Sequence, residues 1–343
     1  MAKKEVFTDP ANKKEYAIGI DIGGTNTKYG IVNHRGEILS SGAISSKEYE
    51  DIHDFIDALY NGLVPEIKAV GGMQYIKGIG MGAPNGNFYT GTIEYAPNLQ
   101  WKGIIPMASY FNEKFKKPCT LTNDANAAAM GELMYGAARG MKDFIMITLG
   151  TGVGSGIVAN GQMIYGHDGF AGELGHTTII PGGRMHWATG MKGSLEAYAS
   201  ATGIAITAKE LLDEKINEKS LLRDIPHDQI TSKSVYDAAI KGDALAKSVF
   251  EYTGEILGTA LANFVMFSSP EAIILFGGVI KAGDLLMDPV RKNMEANLLP
   301  IFQNKVKLIF SELKESDAAI LGASALVWER KDESPADVLE AVK

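Results

Sequence analysis

The stretch Tyr16-Ala17-Ile18-Gly19-Ile20-Asp21-Ile22-Gly23-Gly24-Thr25-Asn26-Thr27-Lys28-Tyr29-Gly30-Ile31-Val32 decides the architecture of this chain. Residues 16–20 have the composition of a buried strand, residues 21–28 carry the glycine, threonine and asparagine of a tight turn, and residues 29–32 return as a second strand. Turn chemistry follows at 33–36, and residues 37–43 come back as a third strand. A later stretch repeats the pattern: an apolar run at 144–149, then Gly150-Thr151-Gly152-Val153-Gly154-Ser155-Gly156, then Ile157-Val158-Ala159. At an offset of 126 the two align without gaps, Gly24-Thr25 on Gly150-Thr151 and Gly30-Ile31-Val32 on Gly156-Ile157-Val158, five identities in nine positions. The duplication predicts two similar α/β halves, each opening with a strand–loop–strand hairpin, and a cleft between them where a ligand would sit.

Working outward, helical spacing of apolar residues predicts helices at 125–138, from 194 to 202–203, and at 204–218, 235–240, 244–267, 285–302 and 318–329. Asn123 or Asp124 is placed to cap the first of these. Strands are predicted at 272–276, ending on Gly277-Gly278, and at 306–310. The polar tail from residue 331 reads as a loose end or a short helix. The 343 residues suggest about two domains. They are divided here as a smaller α/β domain (1–122 plus 313–343) and a larger one (123–312).

Composition narrows the function. With 45% hydrophobic and 22% charged residues the chain is an ordinary globular one. Lys+Arg number 33 against 41 Asp+Glu, a net charge of −8, which speaks against a sequence-independent grip on nucleic acid and against a polybasic membrane anchor. No apolar stretch reaches the roughly 18 residues of a spanning helix. The polar N-terminus is no secretory signal, so a cytoplasmic protein is expected. Cys119 is the one cysteine, which excludes an intrachain disulfide and any site with two thiolate ligands.

Each glycine-rich turn has two readings, a tight hairpin or a cradle of backbone amides for phosphate. Three such turns, near 21–28, 150–156 and 277–278, two of them related and with threonine hydroxyls beside the glycines, favour the cradle. Neither common nucleotide fingerprint fits. Lys28 lies between Thr27 and Tyr29 rather than within Gly-Lys-Ser/Thr, and Gly150 and Gly152 are followed by Ser155 where a third glycine belongs.

The carboxylates also read two ways. Asp124, between a strand-like Thr120-Leu121-Thr122 and an alanine-rich helix, is either a helix cap or a proton acceptor for a substrate hydroxyl. Glu173 and His176 in Gly172-Glu173-Leu174-Gly175-His176 make either a polar turn or a pair that holds neighbouring sugar hydroxyls. Glu196 near a helix start is ordinary by itself.

Together, Asp21-Ile22-Gly23-Gly24-Thr25, Asn123-Asp124-Ala125-Asn126-Ala127-Ala128, Gly172-Glu173-Leu174-Gly175-His176 and Leu195-Glu196-Ala197-Tyr198-Ala199-Ser200 resemble the ROK family of sugar kinases and sugar-responsive repressors. Tyr95-Ala96-Pro97-Asn98-Leu99-Gln100-Trp101 looks most like its glucokinase branch, and the likeness runs from about Tyr16 to Glu329. The resemblance implies two actin-like, ribonuclease-H-like α/β domains and an ATP-dependent hexose kinase, with glucose as the expected acceptor. Mannose, fructose, N-acetylglucosamine and N-acetylmannosamine are alternatives, and a non-catalytic regulator is a further one. Only about 15 residues precede the first strand, against the roughly 60–80 of a repressor's winged helix. An actin-like ATPase that acts on no sugar would give Glu173, His176 and Glu196 no role.

By the same resemblance Asp124 is the general base. Asn98, Asn123, Glu173, His176 and Glu196 bind sugar hydroxyls; Gly23, Gly24, Thr25, Asn26, Lys28, Gly150, Thr151 and Gly152 hold the phosphates; Gly277 and Gly278 lie against the adenosine. Mg²⁺ bridges phosphate oxygens with Asp21 nearby through water, and a homodimer is expected. Two departures stand out. The family's zinc cysteines fall on Trp187, Thr189 and Ser194, so no thiolate zinc site is expected; Trp187 is expected to support His176 instead, and His186 to be a surface residue. In Ala83-Pro84-Asn85-Gly86, Asn85 stands where the family has glycine, which bears on the choice of sugar.

Overall fold

The computed structural model describes residues 14–329; the tail from residue 331 lies outside the described residues. The chain forms two compact units, one from the residues up to Tyr135 together with those from Ser316 onward, the other from Gly136–Glu315.

In the first unit, β1 (Tyr16–Ile22), β2 (Asn26–Asn33) and β3 (Ile38–Ser45) form an antiparallel meander. β4 (Ile76–Gly82) and β7 (Cys119–Thr122) extend it in parallel, giving the order β3-β2-β1-β4-β7. Between them lie α1 (Ile52–Ala69), the short pair β5 (Ile93–Glu94) and β6 (Ile104–Ile105), and α2 (Met107–Phe115). The glycine-centred reading predicts neither α1 nor α2. α1 has a clear apolar face, since Phe55, Ile56, Leu59, Leu63 and Ile67 are all buried. Asp51 caps it by accepting the His53 N–H at 2.7 Å. Pro65 inside the helix blurs that signal in the sequence.

α3 (Asp124–Tyr135) and α9 (Glu315–Glu329) complete this unit. A β-carbon on Gly80 would stand 1.8 Å from the Ala323 carbonyl oxygen, and one on Gly19 would stand 2.2 Å from that of Ile320. Glycines inside these strands therefore let the α9 backbone lie directly on the sheet. α3 belongs with α9: a β-carbon on Gly322 would meet the Ala127 carbonyl oxygen at 2.5 Å. That packing puts the division after Tyr135 rather than after residue 122.

The second unit repeats the plan strand for strand. β8 (Phe144–Leu149), β9 (Val153–Ala159) and β10 (Gln162–Met163) are antiparallel neighbours, β11 (Ala272–Phe276) and β12 (Lys307–Phe310) are parallel additions, and the order is β10-β9-β8-β11-β12. The duplication is thus real, with one amendment. Ile22 pairs with Thr27 across four turn residues, whereas Leu149 pairs with Val153 across three. The return strands correspond at an offset of 126, but the opening strands at 127, because the second turn is one residue shorter.

The helices here are α4 (Glu196–Ala199), α5 (Ala201–Glu214), α6 (Ser232–Ala239), α7 (Ala244–Ser268) and α8 (Asp284–Ala296). The predicted break at Thr202-Gly203 falls instead at Ser200, whose hydroxyl accepts the Gly203 N–H at 3.0 Å and starts α5. Gly203 is inside that helix because a β-carbon there would lie 2.7 Å from the Tyr198 carbonyl carbon. α8 stops at Ala296 rather than reaching 302; Pro300 disfavours helical geometry in the residue before it.

Candidate active site

In the first unit, Asp21, Gly82 and Thr122 lie side by side at the carboxyl ends of three parallel strands, the edge where open α/β sheets place ligands. The next residue, Asn123, caps α3. Its Oδ1 accepts the Asn126 N–H at 2.6 Å, and its carbonyl accepts the Ala127 N–H at 3.0 Å. The capping role weighed for Asp124 is therefore filled by its neighbour. Asp124 reaches solvent although protein surrounds it closely. Desolvation raises its pKa, against the lowering effect of the N–H groups of Ala125, at 2.8 Å, and of Asp124 itself.

Asp21 is pushed up to about 6, first by burial and then by the charge of Asp124, with Lys28 pulling the other way. Lys28 faces Asp21 directly across the β1–β2 hairpin. Gly82 keeps the space between the two acids clear: a β-carbon there would lie 3.6 Å from the Asp124 Cα and 3.9 Å from Asp21 Oδ1. Two neighbouring carboxylates, Asp21 half-buried and raised in part by the charge of Asp124, fit a divalent cation. Among the described residues no third acidic, histidine or cysteine side chain joins them.

In the turn between β1 and β2, the Gly23 N–H goes to the Asn26 carbonyl at 3.1 Å, which leaves the N–H groups of Gly24 and Thr25 without a partner inside the turn. Asn98 lies on this turn, since a β-carbon on Gly24 would meet its carbonyl oxygen at 2.4 Å. Asn85 has a φ of 51°, the left-handed conformation glycine would also supply. The turn that starts at Ala83, with the Gly86 N–H on the Ala83 carbonyl, therefore survives the substitution, and the added amide donates to the Glu94 carbonyl at 2.9 Å.

In the second unit, Val153, the first residue after the glycine turn 150–152, is the hub. Its N–H donates to Glu196 Oε2 at 2.7 Å, and a β-carbon on Gly175 would meet its carbonyl oxygen at 2.0 Å. That close approach seats the Glu173–His176 turn on β9. The Ser155 hydroxyl, on the same strand, bonds the Gly172 carbonyl and accepts the Leu174 N–H. Inside the glycine turn, the Gly150 N–H is used on the Gly152 carbonyl at 3.0 Å. Gly277, with φ of 106°, lies against the same place, since a β-carbon would stand 2.5 Å from the Leu149 carbonyl oxygen.

His186 overturns its expectation as a surface residue. It is 3% exposed, and its Nε2 lies 2.6 Å from Glu196 Oε1, in ion-pair range although the N–H axis is inclined to that line. Trp187 does not support His176 directly. It lies tilted by 34° against His186 with ring centroids 4.1 Å apart, and His186 in turn meets His176 edge to face at 6.0 Å. His176 Nδ1 is buried without a hydrogen-bond partner, and its Nε2 is 3.8 Å from Glu173 Oε2.

The segment carrying His186 is a hairpin closed by the bridges Thr178↔Ser194 and Met185↔Lys192. Arg184 fastens it to α4 and α5. Its guanidinium donates to the Ala197 carbonyl at 2.6 Å, the Gly203 carbonyl at 3.2 Å and the Thr207 hydroxyl at 2.9 Å, pairs with Glu210, and lies over the Tyr198 ring. Arg184, His186 and Gly82 are the residues sequence reasoning misses. Their partners are close in space but follow no local spacing.

The predicted residues thus gather in two sets. Asp21, Gly23, Gly24, Thr25, Asn26, Lys28, Asn98, Asn123 and Asp124 belong to the first unit, and Gly150, Thr151, Gly152, Glu173, His176, Glu196, Gly277 and Gly278 to the second. Residues 17–330 match the family model described as the ROK family. The chain belongs to the ROK family. A glucokinase of Halalkalibacterium halodurans is 38% identical over 320 residues, 92% of this chain and 96% of that protein. A xylose repressor of Caldicellulosiruptor bescii is 30% identical over 313 residues, 90% of this chain and 77% of the repressor. Among solved structures, a ROK family glucokinase from Streptomyces griseus, in complex with glucose and AMPPNP, superposes with a TM-score of 0.74 at 31% identity, covering 92% of this chain and all of that one. The two ROK units seen here are accordingly actin-like α/β domains.

Proposed function

We propose that this chain is a glucokinase that transfers the γ-phosphoryl group of ATP to the 6-hydroxyl of glucose. The observation that carries the reading is Asp124: Asn123 caps the helix in its place, and its surroundings raise its pKa. A carboxylate so placed serves as a general base, taking the proton of the 6-hydroxyl as the oxygen attacks phosphorus. Asn98, Asn123, Glu173, His176 and Glu196 hold sugar hydroxyls. The amides and hydroxyls of 23–26 and 150–152, with Lys28, hold phosphate oxygens, and Gly277-Gly278 lies against the adenosine. Asp21 would help to hold Mg²⁺, which when bound would neutralise phosphate charge. Identity to glucokinases across nearly the whole chain supports the choice of sugar and nucleotide.

The test is ADP formation by the purified protein with Mg²⁺ATP, with and without glucose, beside mannose, fructose, N-acetylglucosamine and N-acetylmannosamine at equal concentration. Glucose-dependent ADP is the expected result. A stronger response to another hexose would reassign the acceptor within the same chemistry. The likeness to a xylose repressor favours a second reading, a sugar-binding regulator, which predicts sugar binding without ADP. The same proposal makes the enzyme cytoplasmic and homodimeric, the latter checked by light scattering. Among the described residues no helix is long and apolar enough to cross a membrane.

A further inference from the structure

Glu196 stands between two attachments. Its Oε2 accepts the N–H of Val153, the residue that closes the glycine turn, while its Oε1 faces His186. The turn itself leaves no slack, because a β-carbon on Gly152 would lie 2.4 Å from Oε2. A carboxylate has about four lone-pair directions, so two attachments still leave acceptor capacity for a ligand hydroxyl. Where that capacity points depends on both attachments.

The second attachment is itself oriented. Two backbone N–H groups converge on His186 Nδ1, from Thr189 at 3.1 Å and from Ala188 at 3.3 Å, with the Thr189 hydroxyl at 3.0 Å. A nitrogen facing two N–H donors must be the acceptor, which leaves the ring proton on Nε2, the nitrogen 2.6 Å from Glu196 Oε1, with its N–H axis inclined to that line. Trp187 closes the far face of the ring, His176 meets its edge, and Arg184 anchors the hairpin strand just before it. An imidazole 3% exposed, with its tautomer set and its Nε2 2.6 Å from a carboxylate that is itself tied to a glycine turn, is placed to hold that carboxylate.

We infer that His186 is a positioning residue for the sugar site: by the close approach of its Nε2 it holds Glu196 in place, and by edge contact His176, so that these two present their acceptors to the hexose. The inference rests on the glucokinase reading, in which Glu196 and His176 touch the sugar, and His186 acts through them without touching it.

Three variants and one spectrum test it. His186→Leu fills the space but gives no donor, His186→Asn has an amide too short to reach, and His186→Gln has one that can reach Oε1. The expected result is a KM for glucose raised about tenfold in the Leu and Asn variants, with kcat and the KM for ATP changed far less. The Gln variant should return to within about threefold of wild type. A long-range ¹H–¹⁵N spectrum of the unsubstituted protein should show His186 unprotonated at Nδ1 and protonated at Nε2, with the Nε2–H resonance shifting on glucose addition.

Unchanged KM for glucose in the Leu variant, or a Gln variant as impaired as Leu with its melting temperature intact, overturns the inference. So does a proton on Nδ1. If the Leu variant does not fold, the Gln and Asn pair and the spectrum decide. If the wild-type protein neither binds nor phosphorylates any hexose, the glucokinase reading falls instead, while the tautomer in the unliganded protein still reports on the geometry.

Discussion

Replacing Gly152 by alanine adds one carbon at the point where the glycine turn meets Glu196. The new β-carbon would stand 2.4 Å from Oε2 and 3.1 Å from the carboxylate carbon. Ordinary contact begins near 3.4 Å, so the carboxylate must retreat by about 1 Å. The Val153 N–H bond at 2.7 Å cannot survive that retreat, and the 2.6 Å approach to His186 is lost with it. A hydrogen bond to a charged group is worth about 1.5–3 kcal/mol, and a misplacement of about 1 Å in a reacting assembly costs on the order of a hundredfold. We therefore expect kcat/KM for glucose to fall by about 10²-fold in Gly152→Ala. Steady-state kinetics of the variant beside wild type, with melting curves to verify folding, give the answer. A wild-type KM for glucose in Gly152→Ala would refute the coupling of the turn to Glu196.

Other predictions follow from the acids and the glycines. Asp124→Asn should lower kcat by about 10²–10⁴ while calorimetry still detects glucose binding, because the amide keeps the size and loses only the proton acceptor. Since desolvation raises the Asp124 pKa, kcat should decline on acidification at a pH above the ordinary carboxylate range, and a flat profile down to pH 4 would count against it as the base. Asp21, at about 6 in the fold against 3.8 unperturbed, binds its proton more tightly folded than unfolded. Its contribution therefore favours folding at low pH and is lost as pH rises through that interval. Asp21→Asn should accordingly raise the melting temperature at pH 7.5 and not at pH 3.5, and the opposite order would contradict the assigned cause. Gly80→Ala should lower the unfolding free energy read from urea titration by at least the roughly 1–3 kcal/mol typical of overpacking, since its β-carbon would sit 1.8 Å from a backbone oxygen.

The opening hairpins, and with them the duplicated order of strands, could be read from residues 16–32 and 144–159, because buried strands around a glycine turn leave a dense local signal. α1 escaped that reading although its apolar face is regular, since Pro65 and Gly62 interrupt the pattern where the eye looks for helix formers. Asp124 could be named, but its freedom from capping could not, because Asn123 and Asp124 are equally good caps on paper. His186 was beyond reach for a different reason. Its burial is produced by Arg184 pulling a hairpin onto α4 and α5, through partners 13 to 26 positions away in sequence.

The placement of α9 bears on how the protein is made. The first unit is discontinuous: its sheet is synthesised early, and the helix that covers Gly19 and Gly80 is translated only after the whole of Gly136–Glu315. The second unit is one uninterrupted segment and needs nothing translated later to close its core. Domains generally mature as units during synthesis. On the ribosome, then, the first unit to begin is the last to finish, and its glycine-lined sheet face waits as a docking surface for the chain's own late helix. A chaperone that shields that face until release would act on the step this topology makes slow.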